Sequence, residues 1–128
     1  MKKSNHQLIS TVFICIILLG CSSYTSEREL ITKKLKDPDS TKFRNENKYI
    51  NNYVCGEFNS KNSYGGYTGY SRYIAKKQLV NSGSALDEYY LEDGSFQTSD
   101  PERLRLFIKD IATNPKIGFE KIWNEYCK

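Results

Sequence analysis

The stretch KYINNYVCGEF, residues 48–58, alternates its side chains about the backbone: Tyr49, Tyr53 and Cys55 fall on one face, Ile50, Val54 and Phe58 on the other. That period of two predicts a β-strand. The residues that follow, NSKNSYGG (59–66), are turn formers, and YTGYSRYIA (67–75) resumes a tyrosine-rich strand pattern. Together they predict a β-hairpin with a long loop. A third strand is expected over 85–91, ALDEYYL, closed by Asp93-Gly94.

Helical signals flank this strand region. Upstream, Ser26 and Glu29 have capping-box spacing, Glu27 and Glu29 suit the positive end of a helix dipole, and Lys33, Lys34 and Lys36 suit the negative end. They predict a helix over 26–36 with Leu30, Ile31 and Leu35 on its apolar face, ended by Asp37-Pro38. DPDSTKF then reads as a turn or one short helical turn that docks through Phe43. Downstream, Asp100-Pro101 opens a helix in which Leu104, Phe107, Ile108 and Ile111 recur at i, i+3, i+4 and i+7. Asn114-Pro115 breaks it, and Phe119, Ile122, Trp123 and Tyr126 repeat the spacing in a last helix next to Cys127. The expected fold is α+β: an antiparallel sheet of about three strands with an N-terminal helix and two C-terminal helices packed on one of its faces.

Location is read from the first residues. Lys2 and Lys3 precede an uncharged, largely apolar run from Leu8 to Leu19, the layout of a signal peptide and too short for the roughly 20 apolar residues of a membrane span. LLGC, residues 18–21, resembles the bacterial lipobox, with the bulky Leu19 a minor departure. The resemblance implies alkylation of the Cys21 thiol by diacylglycerol, cleavage just before that cysteine and acylation of its new amino group by a chain such as palmitate. Several acyl chains anchor a protein durably, since each buried methylene contributes about 0.8 kcal/mol. Residues 1–20 are thus expected to be a signal peptide, 21–25 the lipidated cysteine and tether, and 26–128 a single domain. Ser22, where aspartate would favour retention at the inner membrane, points to the outer membrane facing the periplasm.

Export changes the composition. Lys2 and Lys3 leave with the leader, so 19 basic residues become 17 against 15 acidic ones and the net charge falls from +4 to +2. That near balance gives nucleic-acid binding no support. The single histidine, His6, leaves as well. Without imidazole, Ser-His and Cys-His nucleophile pairs and histidine-based zinc sites are excluded. No cofactor, metal site or catalytic residue is assigned. Of four cysteines, Cys15 lies in the leader and Cys21 takes lipid, leaving Cys55 and Cys127. In an exported domain these most simply form one disulfide, with free thiols or pairing between molecules as the alternatives.

The most unusual composition is CGEFNSKNSYGGYTGYSRY, residues 55–73. Tyrosine offers a stiff surface with a polar tip, and nearby glycine permits close backbone approach. Asn59, Asn62, Tyr64, Tyr67, Tyr70 and Arg72 are therefore the candidate binding residues. On a strand, Tyr67 and Tyr73 would face one side and Tyr70 and Arg72 the other. The plainer account is that tyrosine suits strands and the glycines serve a turn and a bulge. Gly65-Gly66 lacks the strand-to-helix setting of a phosphate loop. Among the carboxylates, Asp87 with Glu88 and Glu92 with Asp93 point to opposite faces as neighbours on a strand, so Glu57 is the better candidate for carboxylate chemistry.

LKDPDSTKF, VCGEFNSKNSYGGYTGYSRYIA and the terminal Trp and Cys also resemble a group of small exported proteins of prophage or plasmid context, marked by LKDPDSxKF and VCGxxNxKNxxGGYxGxxxF patterns. The resemblance implies a shared fold and the Cys55 to Cys127 link, and no mechanism. Tyr70 and Tyr73 stand where phenylalanine is frequent in that group. The expected function is a membrane-anchored binding module, possible partners being an envelope protein or phage component, with inhibition or phage exclusion as one version. A purely structural envelope lipoprotein and a carboxylate-dependent cell-wall hydrolase are the alternatives.

Overall fold

The computed structural model describes residues 24–79 and 85–128. The expected signal peptide and Cys21 lie outside them. Residues 42–59 form two strands where the sequence predicts one over 48–58: β1, Lys42–Lys48, and β2, Val54–Asn59. Between them Asn51 and Asn52 adopt φ of 57° and 65°, the left-handed region that asparagine enters more readily than most residues. The Tyr49 N–H donates to the Tyr53 carbonyl at 2.8 Å and closes the turn.

β1 is missing from the sequence reading because KFRNENK holds one aromatic residue, Phe43, among charged and amide side chains. It is a charged edge strand with a register shift between Arg44 and Asn47, where Asn45 takes φ of 53°. Phe43 docks as expected, and Asp37 caps a single 3₁₀ turn at Pro38–Ser40. β3 spans Ser71–Leu79, later than the predicted 67–75, because residues 60–70 leave the ladder as a loop. β4, Ala85–Leu91, lies where it is predicted, and β5, Phe96–Gln97, follows the turn at Gly94, whose φ is 93°. The sheet therefore has five strands, an antiparallel meander in the order β1-β2-β3-β4-β5.

The helices are α1, Thr25–Thr32; α2, Pro101–Thr113; and α3, Pro115–Tyr126. α1 is shorter than the predicted 26–36, since the Lys34 and Leu35 N–H groups turn back to carbonyls three residues earlier. The capping box does not form: the helix starts from Tyr24, and Ser26, already inside the first turn, donates to Glu27. α2 and α3 begin where predicted. Asp100 accepts from the Glu102 and Arg103 N–H groups, and Asn114 from those of Lys116 and Ile117.

The helices cover both faces of the sheet, which corrects the one-face expectation. Val54, Ala75 and Tyr89 stand side by side across the ladder and pack with Ile31 of α1. Cys55, Ile74 and Tyr90 form the next row and pack with Phe107 of α2 and with Phe119, Tyr126 and Cys127 at α3. Because β2, β3 and β4 carry apolar residues at both parities, either face left bare would expose a row of them. Ile50 departs from the predicted alternation and is exposed in the turn, and Leu104 and Ile108 of α2 face outward while Phe107 is buried. Cys55 and Cys127 are joined as an intramolecular disulfide, with their Cα atoms 5.9 Å apart and both residues buried.

Candidate functional site

The loop 60–70 is built by side chain to backbone bonds. Asn62 Oδ1 accepts from the Tyr64 and Gly66 N–H groups at 2.9 and 3.1 Å, an Asx-type turn, while Gly65 and Gly69 take φ of 78° and 105°. Lys61 and Tyr67 make the loop's one bridge. Its base is tied to the Pro38–Ser40 turn: the Lys61 N–H donates to Ser40 Oγ, Ser60 Oγ to the Asp37 carbonyl, and the Tyr67 hydroxyl to the Ser40 carbonyl at 3.0 Å.

This arrangement brings three tyrosines to the surface together. Tyr64 is 97% exposed at the loop tip, and Tyr67 and Tyr70 are exposed along its flank. The Lys42 ammonium lies 4.7 Å and that of Lys61 5.7 Å from the Tyr67 ring centre, and the Arg44 guanidinium is 3.6 Å from that of Tyr70. Edge strand β1 and the loop thus share an aromatic and cationic surface. Tyr67 and Tyr70 belong to the loop, so the strand alternation expected of them does not apply.

The other predicted residues have inward duties. Arg72 donates to Glu92 and Glu120 and lies 5.2 and 5.1 Å from the ring centres of Phe119 and Trp123, fastening α3 to the sheet. Asn59 holds its Oδ1 buried with no hydrogen-bond partner among the described residues. Tyr73 is fully buried. Glu57 accepts from Arg44 and Asn45.

Two buried polar clusters escaped the sequence reading. On the α1 face, Glu46 of β1 accepts from Arg28 and from the Tyr73 hydroxyl. Its carboxylate fits because residue 56 is glycine: a Cβ there would stand 2.8 Å from Glu46 Cγ. On the opposite face, Glu88 accepts from the Tyr53 hydroxyl and from Thr98, while Arg103 of α2 donates to the same Tyr53 oxygen. Burial first, then the adjoining glutamate, pushes both tyrosine hydroxyls well above their ordinary pKa of 10.0. Nothing in the sequence marks Glu46, since the bulge at Asn45 decides which way it points. Glu88 had a signal: it shares parity with Tyr90 on a strand with few polar residues.

Among the described residues no group of carboxylates, histidines and cysteines could hold a metal ion, and no helix is long and apolar enough to cross a membrane. The class these features define is a small two-face-covered α+β domain with one disulfide. Comparison with family models, with curated proteins and with solved structures finds no match to the chain.

Proposed function

We propose that the protein is a lipid-anchored binding module of the bacterial envelope, held by acylated Cys21 at the outer membrane and facing the periplasm. It engages a partner protein, an envelope or phage component, through the loop 60–70 and the neighbouring edge of β1. The observation that carries this reading is Tyr64, a large aromatic side chain 97% exposed on a loop whose backbone is fixed beneath it. A pre-ordered loop loses little entropy on binding, and tyrosine adds contact area with few rotatable bonds. The purely structural alternative gains from Asn62, which builds the turn, from Tyr67, which ties it down, and from Arg72, which fastens α3.

The two roles separate by substitution. Tyr64→Ala is expected to weaken capture of the envelope partner, recovered by crosslinking in the native host, by about tenfold or more with an unchanged melting temperature. Asn62→Ala is expected to lower melting and capture together. Unchanged capture by Tyr64→Ala sinks the reading. Mass spectrometry of the mature N-terminus tests the anchor, and an unmodified Cys21 would remove it.

A further inference from the structure

A cavity of about 190 Å³ opens between the segment that follows α1 and the base of the loop 60–70. Lys34, Lys36 and Lys61 line it, and among the described residues no carboxylate does. Leu35 and Phe58, both half-buried, give it an apolar part. Thr68 and Ser71 bring two hydroxyls that make no hydrogen bond among the described residues.

The acids of the surrounding segments do not cancel this charge. Glu29 pairs with Lys33 and Lys77, and Asp37 turns its Oδ1 back to the Ser40 N–H. Glu57 pairs with Arg44 and, as the strand neighbour of Phe58, points to the opposite face of the sheet. Asp39 is exposed and forms no ion pair among the described residues. The lysines themselves are held only lightly. Lys36 has neither an ion pair nor a ring contact among the described residues, while the ammoniums of Lys34 and Lys61 lie 5.5 Å and 5.7 Å from the ring centres of Tyr89 and Tyr67. An exposed contact of that kind is weak, and the flexible four-carbon stem lets each ammonium turn to a ligand. α1 directs its carbonyl end here, but that field amounts to roughly half a negative charge against three ammoniums.

We propose that this cavity binds a phosphate monoester, with the phosphate oxygens on the three ammoniums and on the Thr68 and Ser71 hydroxyls and the carbon of the ester against Leu35 and Phe58. A dianion with three terminal oxygens accepts charge-assisted hydrogen bonds from several ammoniums at once, which a neutral ligand cannot do. The volume restricts the ligand to a small group, since pockets for larger ligands start at roughly 300 Å³. The ester can be a soluble one or the headgroup of a phospholipid such as phosphatidic acid. The eight residues of α1, about 12 Å of helix, separate Tyr24 from the cavity, so a bilayer that holds Cys21 stays within reach. That lipid source rests on the proposed anchor, whereas the site itself does not, and it uses none of Tyr64, Tyr67 and Tyr70.

The test titrates the full chain in dodecyl maltoside micelles with glycerol 3-phosphate, and with glycerol as the uncharged blank. Glycerol 3-phosphate is expected to bind saturably, at least about tenfold more tightly than glycerol, and to move the amide resonances of Thr68, Gly69 and Ser71. Lys36→Gln combined with Lys61→Gln is expected to lower that affinity about tenfold with an unchanged melting temperature, while Lys109→Gln, exposed on α2, leaves it as it was. A second arm adds phosphatidic acid to phosphatidylcholine nanodiscs carrying the protein. Shifts of the same resonances there assign the lipid source, and shifts with the soluble ester alone assign the soluble one. No saturable shift with either phosphate, an affinity untouched by the double variant, or an equal loss in Lys109→Gln would each overturn the proposal.

Discussion

The two faces of the sheet solve one problem in two ways. Each fastens a helix with an arginine, a glutamate from a strand and a tyrosine hydroxyl: Arg28, Glu46 and Tyr73 beneath α1, and Arg103, Glu88 and Tyr53 beneath α2. On the α1 face Gly56 leaves room for the carboxylate and the Arg28 guanidinium lies over the Phe43 ring. On the other face the same trio borders a cavity that also holds Lys76. The difference teaches that one trio of groups can be set against a glycine and a ring or beside a cavity, its glutamate buried and its arginine about a third exposed in both settings. The second lid needs a further fixing, and the Cys55 to Cys127 disulfide supplies it.

The largest expected effect comes from cutting that staple. Replacing both Cys55 and Cys127 by serine frees a loop with a sequence separation of 72. The loop-closure term for that length predicts a loss of about 4 kcal/mol in unfolding free energy, measured by urea titration. Hydrogen exchange should show α2 and α3 losing protection before α1, because only their lid is stapled. Equal loss on both faces would erase the distinction.

Next in size come the two glutamates. Glu46→Ala removes a carboxylate that is 6% exposed and packed against Gly56, and about 3 kcal/mol of destabilisation is expected. Glu88→Ala empties a comparable position, 10% exposed, in the wall of a cavity that can take water in place of the lost carboxylate, and about 2 kcal/mol is expected. Chemical unfolding of the two variants measures both losses. A larger loss for Glu88→Ala would mean that the cavity does not relieve its cluster.

Legibility in the sequence followed the same division. The helices α2 and α3, strand β4 and the row Tyr53, Cys55 were readable because each rests on a local rule: a cap before proline, or side chains alternating along a strand. What the sequence concealed depended on long-range geometry. β1 has no apolar alternation, since an edge strand needs charge more than burial, and the Asn51-Asn52 corner looks like strand until both residues are seen at positive φ. Covering of both faces was implicit in Val54 beside Cys55 and Tyr89 beside Tyr90, yet which helix lies on which side is set by tertiary packing. In the loop, composition marked Tyr64 correctly as a surface residue, but it could not separate that residue from Asn62, which builds the turn, or from Arg72, which points to α3.

Arg72 provides the smallest effect and a pH-dependent one. It joins Glu92 and Glu120, whose pKa values it draws below the ordinary 4.5, chiefly by hydrogen bonding. A carboxylate with a lowered folded pKa binds fewer protons when folded than when unfolded, so its stabilising contribution is present above about pH 4.5 and fades as pH falls through the lower folded values. All three side chains are partly exposed, and solvent screening limits the contribution to about 1 kcal/mol. In Arg72→Met the chain keeps an apolar stem against Phe119 and Trp123 and loses the charge. The gap in unfolding free energy between wild type and variant, measured at pH 7 and again at pH 3, should therefore shrink by about that amount. A gap that stays constant would assign the hold of Arg72 on α3 to its ring contacts, and the electrostatic parallel between the two lids would then rest on Arg28 and Arg103 alone.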